Sequence, residues 1–356
     1  MEALDWNMRE RSSALVDWQT ASSVGARLAG AGPPLSDLER ARLDDDFADA
    51  VPQAESLVAE FTGLRPEGYR ARPWVMTRSE WIDANLRGFQ RVLEPLASRL
   101  LERSGSGRTA GIRRKGLGLQ VGLLMGYVGR KVLGQYDLFL PPDDDGLLYF
   151  VGPNVVGVER RFRFPRRDFR LWLSLHEVCH RVQFGSVPWL RGYLTGQVDT
   201  YLSAKEVDPK RILDALKRAV EEVRKGGRSA QDLIFLLMTP EQRAVLERVQ
   251  GMMSLLEGHA NFVMDRVGTG RVAEGARMRR SLQERRRSTG IERTFQRVIG
   301  FESKIRQYDV GERFVTAVVD GAGIEAFNRV WESEANLPTM AEVMKPADWL
   351  ARVAPS

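Results

Sequence analysis

Residues 171–184 read LWLSLHEVCHRVQF, and this stretch decides the fold. Besides its two histidines it carries only Glu177 and Arg181 as formal charges. A nearly apolar helix is a buried helix. His176 and His180 stand four residues apart, so their imidazoles lie one above the other on one helix face. Burying two imidazoles and an acid without partners is costly, and a metal ion would satisfy all three. Glu177 projects beside the pair, placed to act as general base on a metal-bound water. The chain has three histidines, and this motif holds two of them. Asp168 is placed to cap the start of the helix, and Gly185 followed by Pro188 suits its end.

A catalytic zinc of this kind needs a third protein ligand and one open position. The extended motif, with glycine three residues and histidine six residues after the second histidine, is absent: those positions are Gln183 and Ser186. The third ligand therefore comes from elsewhere, and the segment Met252–Ala260 offers Glu257 and His259. Residues 243–267 carry a helical stripe of apolar side chains. Glu257 borders that stripe, and a carboxylate there needs a partner. His259 is about 200° further round the helix, so one continuous helix cannot aim both at one metal. Glu257 is the expected third ligand and His259 the alternative. A rim position, or a role supporting the site or an oxyanion, is left for His259.

Glu257-Gly258-His259-Ala260 after a distant His-Glu-x-x-His resembles the gluzincin pattern, in which aminopeptidases carry Glu-Gly-x-Ala. More closely, the chain resembles the bacterial zincin-like metallopeptidase type 2 family, hydrolases of which some are linked to biosynthesis of a deazaflavin coenzyme. The matching segments are Val132–Asp137, Phe150–Val155, Phe169–Phe184 with Val187–Arg191, Met253–His259 with Val263–Asp265, Arg306–Tyr308, and Pro346–Val353. The resemblance implies a zincin-like, mainly α fold and a His176-His180-Glu257 site for Zn2+. It puts Tyr308 beside His259 as a candidate oxyanion donor. It implies no particular substrate. More than seventy residues separate His180 from Glu257, a departure from the short spacing of familiar gluzincins.

The rest of the chain reads as helices around one small sheet. Helices are expected near Ala14–Leu28, Leu38–Phe61, Arg78–Arg103, Pro209–Arg224, Ala230–Met238 and Arg243–Val267. Gly118, Gly122 and Gly126 form a smooth ridge on a further helix, for close packing. Strands are expected at Tyr136–Leu140, Leu147–Val151 and Val155–Arg160, just before the motif helix. Phe150–Asn154 is the candidate edge for pairing with an extended peptide. One domain over 1–356 is expected, with an N-terminal helical lobe reaching to about residue 72.

Composition fits a soluble enzyme of 356 residues. The N-terminus has no basic start or apolar core of the secretory kind. The longest uncharged apolar run, Gly116–Gly129, is too short to span a bilayer. A lone cysteine, Cys179, excludes an intrachain disulfide and fits a cytoplasmic location. It reads as a small buried side chain. The net charge is +6, and arginines crowd residues 277–297. With no aromatic interleaved until Phe295, they read as a solvated, ion-paired face rather than a nucleic-acid surface. The function expected is a zinc peptidase acting on a peptide or protein, with a non-hydrolytic zinc protein as the alternative.

Overall fold

The computed structural model describes residues 16–68, 70–101, 108–137, 146–203, 239–286 and 301–354. The helices expected at Pro209–Arg224 and Ala230–Met238 lie outside them. The chain divides into two compact units, Met1–Leu57 with Glu67–Arg181, and Val58–Pro66 with Val182–Ser356.

The first unit is built on a three-stranded mixed sheet. Its strands are β1 (Arg72–Met76), β2 (Gly134–Tyr136) and β3 (Leu147–Val151), in the order β1-β3-β2. The central strand β3 pairs in parallel with β1 and antiparallel with β2. Its apolar run suits a strand covered on both faces. Phe150 stacks on Phe47 of α2 (Asp37–Thr62) on one face. On the other, Tyr149 and Val151 join a core with α1 (Trp18–Ala29), α3 (Arg78–Leu101) and α4 (Arg108–Gly129). Burial, together with the carboxylate of Asp137, pushes the Tyr149 hydroxyl far up, so it stays a neutral phenol.

The glycine ridge is as expected. Cβ atoms added at Gly118, Gly122 and Gly126 would stand 2.5, 2.7 and 2.7 Å from the carbonyl oxygens of Asp17, Ala21 and Gly25. The backbones of α1 and α4 are therefore in direct contact.

Two sheet expectations are corrected. Residues 155–160 are not a strand but part of α5 (Gly152–Phe162), which Pro153 starts within its first turn. Asn154 helps hold that helix start. Its buried amide donates to the Gly129 and Val132 carbonyls and accepts from Arg78 Nε. Period-two valines thus sit on a helix because its start is pinned from outside. Second, Phe150–Asn154 offers no free edge, because β3 is hydrogen-bonded on both sides. The strand β1 was not anticipated. Within β2, pairing covers Gly134–Tyr136, and residues 138–140 lie outside the described residues.

Next comes the motif helix α6 (Arg166–Ser186), which runs from the first unit into the second. It is followed by α7 (Pro188–Ser203), α8 (Pro240–Gly268), α9 (Gly275–Arg286) and α10 (Phe301–Asn328). Two short 3-10 turns, α11 (Met340–Met344) and α12 (Pro346–Val353) complete the second unit. Thr239 and Gln242 form a capping box at the start of α8, with Pro240 in its first turn. From Gly251 onward α8 is buried on nearly every side rather than along one stripe. No helix among the described residues is long and apolar enough to cross a membrane.

Candidate metal centre

The motif helix is anchored along α2. Buried Arg170 forms a bidentate pair with Glu159, bonds Asp46, and donates to the Arg42 carbonyl. About three helical turns further along, buried Arg181 pairs with Glu55 at 3.3 Å. Phe169, Leu175, Val178 and Cys179 of α6 are fully buried. Asp168 is not at the cap position. The helix begins at Arg166, so Asp168 lies in the first turn, where an acid favours the positive end of the helix dipole. Ser186 ends the helix, close to Gly185 as expected.

Helical periodicity then brings His176 and His180 together. Both are half-buried, with ring centroids 4.9 Å apart and planes at 89°. Glu177 is buried beside them, and its Oε2 accepts the Tyr136 backbone N–H at 3.1 Å. A Cβ at Gly134 would stand 2.7 Å from Glu177 Cγ, so this edge strand needs a glycine where the carboxylate passes. Sequence reasoning assigned neither Gly134 nor the Tyr136 amide a role here. The signal available was that Val132–Asp137 is one of the segments carrying the family resemblance.

Among the described residues, His176, His180 and Glu257 form a group suited to a metal ion: one ligand atom from each, all within 4.8 Å of one another. Two imidazole nitrogens and a carboxylate oxygen are the donor set of a catalytic zinc, and three protein ligands leave a position for water or substrate.

His259 is placed elsewhere. It is not a rim residue but is buried completely, because α8 is enclosed on nearly all sides. Its ring stacks on Phe327 at 5.2 Å and meets the edge of Trp331 at 5.3 Å. Its Nδ1 lies 2.9 Å from Nε2 of Gln183, which also donates to the Leu256 carbonyl. Gln183 is a residue whose role the sequence reading missed, although it shares the face of His176 and His180 at the next helical step. The Tyr308 backbone lies in α10, and its side chain is outside the described residues. Asp265 forms an ion pair with Arg279. Arg279 also pairs with Glu312, and Arg277 with Glu274, so this part of the basic stretch is ion-paired.

Residues 16–350 match the family described as zincin-like metallopeptidase. The chain is also similar to a solved crystal structure from Chloroflexus aurantiacus, that of a proposed hydrolase with a novel fold. The two are 32% identical, the match covers 96% of this chain and 100% of that one, and the TM-score is 0.72. No curated protein matches the chain.

Proposed function

Because the chain belongs to the zincin-like metallopeptidase family, we propose that it is a zinc-dependent peptidase of gluzincin type. His176, His180 and Glu257 hold the metal, and Glu177 is the general base. The observation that carries this reading is the approach of one ligand atom from each of those three residues to within 4.8 Å. The similar hydrolase from Chloroflexus aurantiacus supports the reaction class.

When bound, zinc supplies Lewis-acid polarisation of a carbonyl and makes water easier to deprotonate. The chain's own residues do the rest. Glu177 takes a proton from the attacking water and passes it to the leaving amine. The Tyr136 N–H orients its carboxylate for both transfers. Burial of Glu177 limits competing water around that proton. The edge strand β2, rather than Phe150–Asn154, is the segment beside which an extended peptide would lie. A cytoplasmic location fits the single, buried Cys179.

The test pairs metal analysis with cleavage of a peptide library by wild type and Glu177→Gln. One zinc per chain in both proteins, with cleavage reduced about 10²–10⁴-fold in the variant, is the expected result. Stoichiometric zinc without cleavage of any peptide would favour a non-hydrolytic zinc protein. Absence of zinc binding would overturn the reading.

A further inference from the structure

We propose that Gln183 and His259 are positioning residues that hold the Glu257-bearing turn of α8 in register for the metal. The inference rests on the reading of Glu257 as a ligand. His176, His180 and Gln183 follow the spacing i, i+4, i+7, so all three share one face of α6. Gln183 is completely buried. A backbone carbonyl only accepts, so the end of the carboxamide at Leu256 is its NH2 group. The same nitrogen reaches His259 Nδ1, which therefore accepts. Both hydrogens of one amide are thus committed to Leu256 and His259, the residues on either side of the Glu257-Gly258 pair.

The other side of this turn is also fixed. A Cβ at Gly258 would lie 2.2 Å from the Gly311 carbonyl carbon, and one at Gly311 would lie 1.8 Å from the Ser254 oxygen. The backbones of α8 and α10 are in contact there, with no side chain to yield. His259 is itself held between Phe327 and Trp331. The turn is clamped by backbone contact on one side and by two directional hydrogen bonds on the other. An apolar residue at 183 would fill the same space, but only the carboxamide specifies an axial register, because hydrogen bonds are directional and packing is less so. Partners that orient a metal ligand typically contribute 10–100-fold to metal affinity.

The experiment measures the zinc dissociation constant of the full chain by competition with a chelator of known affinity. It compares wild type, Glu257→Gln, Gln183→Met and His259→Phe. Methionine keeps the length and volume of glutamine and removes both donors. Phenylalanine keeps the stack on Phe327 and removes the acceptor. Weakening of zinc binding by about 10–100-fold in Gln183→Met is expected, with a smaller loss in His259→Phe, which keeps the Leu256 bond. Cobalt-substituted Gln183→Met should show an altered visible spectrum, a change that mere loss of stability would not produce. Restoration of affinity in His259→Asn, whose carbonyl again accepts, would add support. Wild-type zinc affinity in Gln183→Met overturns the proposal while leaving the metal site intact. If Gln183→Met does not fold, unchanged affinity and cobalt spectrum in His259→Phe overturn it. Equal zinc binding by wild type and Glu257→Gln overturns both this proposal and the ligand assignment beneath it.

Discussion

The carboxylate of Glu177 passes so close to Gly134 that the site depends on a missing side chain. Gly134→Ala would drive a methyl group to 2.7 Å from Glu177 Cγ and 2.9 Å from Oε1. Either Glu177 turns away or β2 shifts and weakens the Tyr136 bond. Displacement of a catalytic group by about 1 Å can cost about 10²-fold in rate. The expected outcome is a kcat/KM lowered by about that factor with zinc stoichiometry unchanged, checked by steady-state kinetics and metal analysis. This scale also shows what could be read in advance. His176 and His180 were legible because their spacing alone aligns them, whatever surrounds the helix. Glu257 was legible as an acid beside an apolar stripe. The rim position left open for His259 was wrong, because periodicity locates one buried face and says nothing about a helix enclosed on all sides. Gln183 carried its signal openly, as an amide on the metal face of an apolar helix, but its partners come from a distant segment.

Among the elements, α1 and α4 give the sharpest contrast between two glycines of one helix. Gly122→Ala places a methyl 2.7 Å from the Ala21 oxygen and 2.9 Å from Val24 Cβ. Overpacking of this kind costs about 1–3 kcal/mol. Gly116 has nothing within 4 Å of an added Cβ, so Gly116→Ala should instead stabilise the helix by about 0.5–1 kcal/mol. Urea denaturation of the two variants should therefore move in opposite directions. The ridge was legible because glycines four apart in a helix have few explanations other than close approach. The sheet was less legible. Val155, Val156 and Val158 favour a strand by propensity, yet Pro153 and the pinned Asn154 amide commit the segment to α5. The strand β1, with its exposed Trp74 and a proline, has no clean alternation, and its partner β3 lies more than seventy residues away.

At the level of the whole molecule, buried charge and metal binding make separable contributions to stability. Arg170 and Glu159 are each about 3% exposed and bonded to one another at 2.8 Å. Removing the Glu159 charge leaves Arg170 buried with Asp46 as its remaining carboxylate partner, so the loss is at most that of a fully broken buried pair, about 3–5 kcal/mol. Glu159→Gln should lower the melting temperature of the metal-free and the zinc-loaded protein alike, since Glu159 is not among the ligands. On the proposed reading zinc binds only the folded chain, because folding brings His176, His180 and Glu257 within 4.8 Å of one another. Ligand at 1,000 times its dissociation constant then adds about 4 kcal/mol of stability. The melting temperature should rise on adding zinc and fall back on adding a chelator. Glu257→Gln should erase most of that increment while leaving the metal-free melting temperature near wild type, because Glu257 is only half-buried. Glu159→Gln should do the reverse, lowering the baseline and keeping the increment. Calorimetry of the three proteins with and without zinc separates the two: equal zinc increments in wild type and Glu257→Gln would show that Glu257 contributes nothing to binding.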